Sequence, residues 1–278
     1  MLRDYNRRNN AVIAKVRKPP YDFSLWKTVD AGPLLAADRF GTKASKNGYD
    51  LPDTRWLFGA PIRVYALASK TWPKDLLVAA PTHYVGRRKS WMGRESVALV
   101  LLRQPTSGAP WVSLADGVAA RARLPQAAAP GTDPAPTAEQ REQVVTLARQ
   151  LAAYWRDGTA PAGFADTKFV DRPRTSRATS MKSGEFRDVV HDARILGGEG
   201  GVHAFRVDGG VLALVPYRLS VTWIAASGTR HWTDMAASVW GSGSSSRLRS
   251  TNLAVASFYV PDGGPAQPLG YRDQYAEF

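Results

Sequence analysis

The segment PTAEQREQVVTLARQLAAYWRDG, from Pro136 to Gly158, has the clearest helical pattern in this 278-residue chain. Thr137 and Gln140 match the capping box, in which each side chain bonds a free backbone N–H of the first turn. The apolar residues recur at helical spacing: Val144, Leu147, Leu151 and Tyr154, with Val145, Ala148, Ala152 and Trp155 widening the stripe. Gly158 suits the left-handed conformation that ends many helices. We therefore predict an amphipathic helix whose broad apolar face a sheet or other helices must cover.

Strand patterns follow helical ones in both halves of the chain. Four strand-like runs separated by turn residues begin at Trp56: WLFGAPIRVYALA, DLLVAAPTHYV, ESVALVLLRQP and APWVSLADGV. In the second half, VHAFRV and VLALVPYRLSVTWIAA predict a hairpin around Asp208-Gly209-Gly210, and RSTNLAVASFYV and LGYRDQYAEF predict two more strands. Tyr217, Leu219, Val221 and Trp223 alternate with polar residues, which is typical of a strand buried on one face. Helices followed by runs of strands indicate an α+β fold.

The remaining helical patterns are shorter or weaker. Leu2 to Lys18 predicts a basic helix that Pro19-Pro20 ends, and Leu34 to Phe40 predicts a short helix before a loop from Gly41 to Asp53. The remaining assignments in the second half are a basic connector from Gly163 to Ser183, a short helix from Glu185 to Arg194 with Ser183 as its cap, and an irregular segment from Trp232 to Trp240.

A proline-rich segment divides the chain. Leu124 to Pro136, LPQAAAPGTDPAP, has small residues between its prolines and no periodicity, which is typical of an extended, semi-stiff linker. We predict a first domain over residues 1–124, a linker over 125–136 and a second domain over 137–278. Each domain should place its helices on the concave face of a curved antiparallel sheet.

The composition is that of a globular protein with a strongly basic surface. Apolar residues make up 44% of the chain, and 37 Lys and Arg against 24 Asp and Glu give a formal charge of +13. Such a surface attracts an anionic membrane, an acidic wall polymer or protein, or nucleic acid, although the charge can also serve solubility alone. Basic clusters lie at Arg87-Arg88-Lys89 and from Arg172 to Arg177. Because no nucleic-acid-binding motif accompanies them, we interpret them as solvated loops.

The sequence offers little recognisable catalytic chemistry. The absence of cysteine excludes disulfides, thiol nucleophiles and cysteine metal sites. The chain lacks the G-x-S-x-G and H-E-x-x-H motifs and the glycine patterns that bind phosphate, and its four histidines are scattered. Ser24 and Lys27 match S-x-x-K without the companion motifs, and we interpret Asp75 and Glu95 as charges at a turn or a sheet edge. We predict no metal, no cofactor and no enzymatic activity. The chain has no run of 18 apolar residues, so a membrane-spanning segment is not predicted.

Several motifs resemble a known family. They are Tyr5 with Asn9 and Asn10, the segment from Thr28 to Asp38 (TVDAGPLLAAD), Val64-Tyr65 followed by Trp72 to Leu77 (WPKDLL), and Pro110-Trp111-Val112. In these the chain resembles the actinobacterial surface lipoproteins of unknown function that consist of two tandem NTF2-like, or cystatin-like, repeats. The resemblance implies an export signal and a lipid-bearing cysteine upstream of Leu2, both removed from this sequence, and it implies no established catalytic residues.

The charge and the missing catalytic motifs, together with what the resemblance implies, predict an extracytoplasmic, lipid-anchored, non-enzymatic protein that binds or scaffolds at the cell envelope. Its partners would be an anionic membrane or wall polymer, or an envelope protein, with nucleic acid disfavoured. The alternatives are an isomerase or cyclase that uses an NTF2-like cone, and a component of a conjugation or secretion assembly. The residues predicted to line a binding pocket are Trp155, Tyr217, Trp223 and Trp232.

Overall fold

The computed structural model describes residues 1–51, 55–66, 71–85, 95–129 and 135–278. Within these ranges the α-helices are α1 (Leu2–Val16), α2 (Gly32–Lys46), α3 (Ala138–Asp157), α4 (Arg172–Lys182) and α5 (Asp234–Trp240). The strands are β1 (Arg55–Phe58), β2 (Arg63–Ala66), β3 (Lys74–Ala80), β4 (Thr82–Val85), β5 (Ser96–Gln104), β6 (Val112–Ala120), β7 (Phe186–Ile195), β8 (His203–Val207), β9 (Gly210–Ala225), β10 (Arg247–Pro261) and β11 (Gln267–Tyr275).

The strands of each half form their own antiparallel sheet. The first sheet has the order β2-β3-β5-β6. The second sheet has the order β11-β10-β9-β7, with β8 also paired to β9. β1 and β4 form a separate two-stranded ribbon. The predicted α+β class with antiparallel sheets is confirmed, and so is the hairpin of β8 and β9, which pair from Val207–Gly210 to His203–Leu214.

The two sheets pack face to face, with a helix on the outer side of each. On β5, Leu99 and Leu101 share a core cluster with Leu212 and Leu214 of β9. The alternate residues of each strand face the other way, because successive side chains point to opposite sides of a sheet. Those of β5 meet α1, and those of β9 meet α3. The layer order is therefore α1, first sheet, second sheet, α3.

The sequence predicted that only one face of β9 is buried. Because the first sheet covers one face and α3 covers the other, both faces are buried. Every residue from Gly210 to Tyr217 is buried, and polar residues begin to emerge only at Arg218. The sheets approach most closely where glycine stands on a strand. A Cβ added to Gly270 of β11 would lie 2.2 Å from the Val118 carbonyl oxygen of β6.

The central helix α3 agrees with its sequence pattern. The Thr137 side chain accepts from the Gln140 backbone N–H, Gln140 reaches back in return, and Gly158 ends the helix at φ 90°. Trp155 is fully buried, and its indole N–H donates to the Val170 carbonyl over 2.7 Å. The Tyr217 hydroxyl donates to the Ala148 carbonyl over 3.0 Å, joining the helix to the second sheet.

One predicted helix is wrong. Residues Phe186–Ile195 form strand β7, paired with β9 along its length. Val189, His191 and Ala193 are buried at alternate positions, which is the strand period. A run this short fits both periods, so the pairing with β9 decides it. Ser183, the predicted cap, follows the end of α4 instead.

One helix, α2, is longer than predicted, and two helices, α4 and α5, were not predicted. α2 continues into the predicted loop as far as Lys46, because Thr42, Ala44 and Ser45 are buried beyond Gly41. α4 lies in the predicted connector, and only Pro173 of its eleven residues is buried, so it has no apolar stripe. α5 lies in the segment predicted to be irregular.

Two predicted strands are each divided at a proline. Gly59 to Pro61 separates β1 from β2, and Pro81 separates β3 from β4. Proline has no N–H to donate to a strand ladder. The Gly59 N–H donates to the Pro81 carbonyl over 2.8 Å, so the two breaks lie side by side.

The described start of the linker contacts both halves. The Tyr65 hydroxyl donates to the Pro125 carbonyl over 2.8 Å, and the Asp208 N–H donates to the Gln126 carbonyl over 3.0 Å. Ala127 forms a β-bridge with Val207. Residues 130–134 lie outside the described ranges. The predicted division into 1–124, 125–136 and 137–278 stays a prediction.

Candidate functional site

A cavity of about 320 Å³ opens between α1, α2, β6 and β11. We call it the first cavity. Apolar walls come from both helices and from the end of the second sheet, and a few polar groups point inward. Its lining includes Tyr5, Asn9, Arg17, Trp26, Asp38, Phe40, Gly41, Thr42, Ser113, Asp116, Arg272 and Tyr275.

Asp38, which lines the first cavity, lies close to a second, buried carboxyl, Asp30. Asp30 follows the 3₁₀ turn after α1 and is 1% exposed, and the Tyr5 hydroxyl donates to its Oδ1 over 2.8 Å. The Asp38 carboxyl on α2 lies close enough to interact with it, and the Asp30 Oδ2 atom has no hydrogen-bond partner among the described residues. Two neighbouring carboxyls can hydrogen-bond to each other only when one of them carries a proton.

The environment favours a proton on this pair of carboxyls. Burial and the Asp38 charge raise the pKa of Asp30 well above its usual range. Burial also raises the pKa of Asp38 to about 7, against the opposing effects of its hydrogen bond with Asp30 and of the Arg272 charge. The pair can therefore gain or lose a proton near neutral pH, next to an open cavity.

A salt bridge closes the far side of the first cavity. Arg272 of β11 bonds the Oδ2 atom of Asp116 on β6, which joins the two sheets. Asp116 is 6% exposed, and its Oδ1 has no hydrogen-bond partner among the described residues. A ligand or water that donates a hydrogen bond would satisfy that atom.

Aromatic side chains form the apolar wall. The Trp26 indole N–H donates to the Thr42 hydroxyl over 2.8 Å, so its polar atom is already paired. The Phe40 ring lies 5.5 Å from the Tyr275 ring and 5.0 Å from the Trp240 ring. These rings are packed against one another, and those of Phe40 and Tyr275 line the apolar side of the first cavity.

A second cavity of about 190 Å³ lies between α4 and the second sheet. Its lining includes Arg172, Pro173, Ser176, Arg177, Ser180, His191, Trp223, Asn252, Tyr271, Asp273 and Tyr275. His191 is 3% exposed, and burial, with help from the Arg177 charge, lowers its pKa to about 4. The imidazole is therefore neutral at physiological pH.

The four aromatic residues predicted to line a pocket are not all in one place. Trp155 and Tyr217 lie in the core between α3 and the second sheet, with their rings 4.8 Å apart. Trp223 lines the second cavity. Trp232 packs on Trp223 with the two ring centres 5.4 Å apart. Asp75, interpreted as an edge charge, is paired with Arg103 through two hydrogen bonds of 2.7 Å.

The carboxyls of the first cavity were missed at the sequence level. Asp30 and Asp38 both fall in the TVDAGPLLAAD segment, where each has apolar neighbours, and Asp116 stands in the middle of an apolar strand. An acid among apolar residues is the available signal, because such a position is buried once the chain folds. Nothing in the linear order indicates that the Asp30 and Asp38 side chains meet.

Comparison with known protein families finds no match, and comparison with curated protein sequences finds none either. Across the described residues, no group of three or more His, Asp or Glu side chains is arranged to hold a metal ion. The described helices include none that is long and apolar enough to cross a membrane. The predicted basic cluster Arg87-Arg88-Lys89 lies outside the described residues.

Proposed function

We propose that this protein is a non-enzymatic ligand-binding protein of the cell envelope, built from two NTF2-like units, whose first cavity holds a small molecule. The first cavity carries the proposal. Its volume of about 320 Å³ falls within the range of small-ligand sites, and its walls are apolar with a few convergent polar groups.

The balance of charge indicates a neutral ligand with a hydrogen-bonding group. Arg17 and Arg272 line the first cavity together with Asp38 and Asp116, so positive and negative charges offset each other. Asp116 Oδ1 and the Asp38 carboxyl are available to accept hydrogen bonds from a hydroxyl or amide. Trp26 and Phe40 would contact the apolar part of the ligand.

Binding is favoured over catalysis because two potential proton donors beside the carboxyls, Tyr5 and Arg272, are already paired. Proton transfer next to a carbonyl needs a base and a separate donor for the carbonyl oxygen. Two of the donors in the first cavity are engaged with carboxyl groups: the Tyr5 hydroxyl bonds Asp30, and Arg272 bonds Asp116.

The location at the envelope rests on other observations. The charge of +13 favours anionic lipid or wall polymer as a neighbour, and the family resemblance of the sequence motifs implies export. Two helix-on-sheet halves are compatible with two NTF2-like units. The test is fractionation of the native cells: the full-length product should sediment with the envelope in high salt, and recovery in the soluble cell extract would contradict the proposal.

The ligand test compares benzyl alcohol with benzoate, which share a ring and differ in charge. We expect benzyl alcohol to raise the melting temperature and benzoate to have a smaller effect, because carboxyls line the site. Gly41 lines the first cavity on α2, and a Cβ there meets only Leu51 at 3.7 Å. Gly41→Leu should therefore fill the cavity without strain and weaken benzyl alcohol binding at least tenfold.

Ala178→Leu on the exposed face of α4 is the matched control, since it adds the same kind of side chain outside the first cavity. Equal binding by the wild type and Gly41→Leu would show that the ligand binds elsewhere. No effect of benzyl alcohol or benzoate on the wild type would also count against the proposal.

A second candidate function is a proton-transfer enzyme, favoured by the pKa of about 7 for Asp38 beside an open cavity. Such an enzyme would exchange the protons between the carbonyl and the double bond of cyclohex-3-enone in deuterated water. The rate should rise as pH increases through about 7 and disappear in Asp38→Asn, while Asp50→Asn on the surface keeps it. Exchange with this pattern would replace the non-enzymatic proposal.

A further inference from the structure

The second cavity encloses polar atoms that the protein leaves unpaired. His191 and Asn252 are 3% and 8% exposed, and both line this cavity. Their Nδ1 and Oδ1 atoms have no hydrogen-bond partner in the part of the chain that the structure describes. Buried polar atoms in folded proteins are nearly always satisfied, so a molecule in the cavity should supply the missing bonds.

The chemistry of these atoms defines what that molecule must offer. His191 is neutral, and the influence of the Trp155 backbone on its ring favours a proton on the other nitrogen, which leaves the unpartnered Nδ1 as an acceptor. Asn252 bonds the Asp273 side chain, which accepts from the amide NH₂ and leaves Oδ1 as a second acceptor. The occupant must therefore donate at least two hydrogen bonds.

The arginines at the rim do not make this an anion site. Arg172 lies 3.6 Å from an Asp273 oxygen, and Arg177 lies 3.5 Å from an Asp188 oxygen. Each positive charge thus has a carboxylate beside it. An anion would have to compete with these carboxylates, whereas a neutral hydroxyl can donate to one group and accept from another.

An apolar surface completes the site. Trp223 lines the same cavity, and its ring is held edge-on by Trp232. The volume of about 190 Å³ is smaller than that of sites for drug-sized ligands, which begin at roughly 300 Å³. One small ring fits this space better than a longer chain does.

We propose that the second cavity binds a single neutral sugar ring, with Trp223 against its C–H face and with His191 and Asn252 accepting from its hydroxyls. A sugar ring has both an apolar face and several donors within one small volume. The proposed envelope role supplies a source, since wall polymers are made of such rings, but the site itself does not depend on the first cavity.

The sugar would enter the second cavity when α4 moves away from the second sheet. Ser176, Arg177 and Ser180 of α4 line the cavity, and Pro173 is the only buried residue of this helix. A helix with so little buried apolar surface is held weakly and can move away from the sheet. The hydroxyls of Ser176 and Ser180 would then be free to bond the sugar as the helix returns.

Saturation-transfer NMR with methyl β-D-glucopyranoside tests the proposal on the full chain. We expect transfer to the ring protons of the glucoside in the wild type. Trp223→Leu and Asn252→Leu should each weaken binding at least tenfold. Trp72→Leu, which makes the same change at an exposed position in the first half, should leave it within twofold.

A third variant covers the case in which the buried substitutions prevent folding. Ser180→Trp places a large side chain at the cavity from the mostly exposed helix α4 and should abolish transfer. Absence of transfer in the wild type would mean that water alone fills the cavity. Equal transfer in all variants, or displacement of the glucoside by inorganic phosphate, would also overturn the proposal. Benzyl alcohol binding by Trp223→Leu is measured as well. If this variant still binds benzyl alcohol, the first cavity is intact and the failure concerns the second cavity alone.

Discussion

The first cavity contains buried carboxyls and the second a buried histidine, yet burial acts on both in the same way. It raises the pKa of Asp38 to about 7 and lowers the pKa of His191 to about 4. In each case the neutral form is favoured, because a charge loses its hydration inside the protein. The comparison teaches that the charge of +13 describes the surface and not the interior sites.

The helices that cover the two cavities also differ. α1 and α2 bury apolar residues along their length, including Val12, Val16 and Phe40, so the first cavity has fixed walls. α4 buries only Pro173. We therefore expect the first cavity to be preformed and the second cavity to open by movement of its helix.

We expect the largest difference in the free energy of unfolding between a substitution at a buried residue of α3 and one at an exposed residue of α4. Leu151 is fully buried in the core of the second half, whereas Met181 of α4 is 37% exposed. We expect Leu151→Ala to lower the free energy of unfolding by about 2–5 kcal/mol, because it leaves a cavity in the core. Met181→Ala should change it by less than about 0.5 kcal/mol. Chemical denaturation measures both, and similar losses would mean that α4 is as firmly packed as α3.

The next largest effect tests whether the two halves share one core. At Gly270 an added Cβ would press on the Val118 carbonyl of the first sheet, while at Gly263 it meets open space. We expect Gly270→Ala to cost about 1–3 kcal/mol, since the sheets must move apart, and Gly263→Ala to cost far less. If both substitutions are neutral, the sheets do not meet as described.

Asp38→Asn tests how burial of the carboxyl in the first cavity affects the pH dependence of stability. The folded-state pKa of Asp38 is raised, so the wild type binds more protons folded than unfolded and loses stability as pH rises from about 4 to about 7. The variant lacks this loss. Its melting temperature relative to the wild type should rise over that interval by about 2–6 °C, the shift for roughly 1–2 kcal/mol. Asp50→Asn on the surface should give no such trend.

His191→Gln should produce the opposite trend and the smallest effect. The folded-state pKa of His191 is lowered, so the stability it contributes is present above about pH 6.5 and is lost as pH falls toward 4. The melting temperature of the variant relative to the wild type should therefore rise as pH falls, by about 2–4 °C for roughly 1 kcal/mol. Exposed His231 provides the control substitution, His231→Gln. Trends of the same sign for Asp38→Asn and His191→Gln would contradict the claim that burial raises the pKa of Asp38 and lowers that of His191.

Local sequence patterns correctly predicted the elements that are long or that have clear capping or turn residues at their ends. Helix α3 has a capping box, a wide apolar stripe and a terminal glycine, and all three act as predicted. The hairpin around Asp208 to Gly210 was equally clear. In contrast, β7 and α4 were predicted wrongly, because a ten-residue run fits two periods and a polar helix has none.

The candidate site was predicted only in part. Large aromatic residues were a sound guide to buried surface. Trp155 and Tyr217, however, lie in the core, whereas Trp223 lines the second cavity. Whether an aromatic side chain faces a core or a cavity depends on what the neighbouring elements place opposite it. That information is absent from any single stretch of sequence.

The sequence by itself determined the α+β class, the central helix, the paired strands of the second half and the basic surface, because each depends on neighbours along the chain or on composition. Only the tertiary structure decided that the two sheets lie face to face, that the Asp30 and Asp38 carboxyls are buried close to each other, and that His191 is buried beneath α4. These features depend on distances between residues far apart in the chain and on the loss of water around them, which local patterns do not encode.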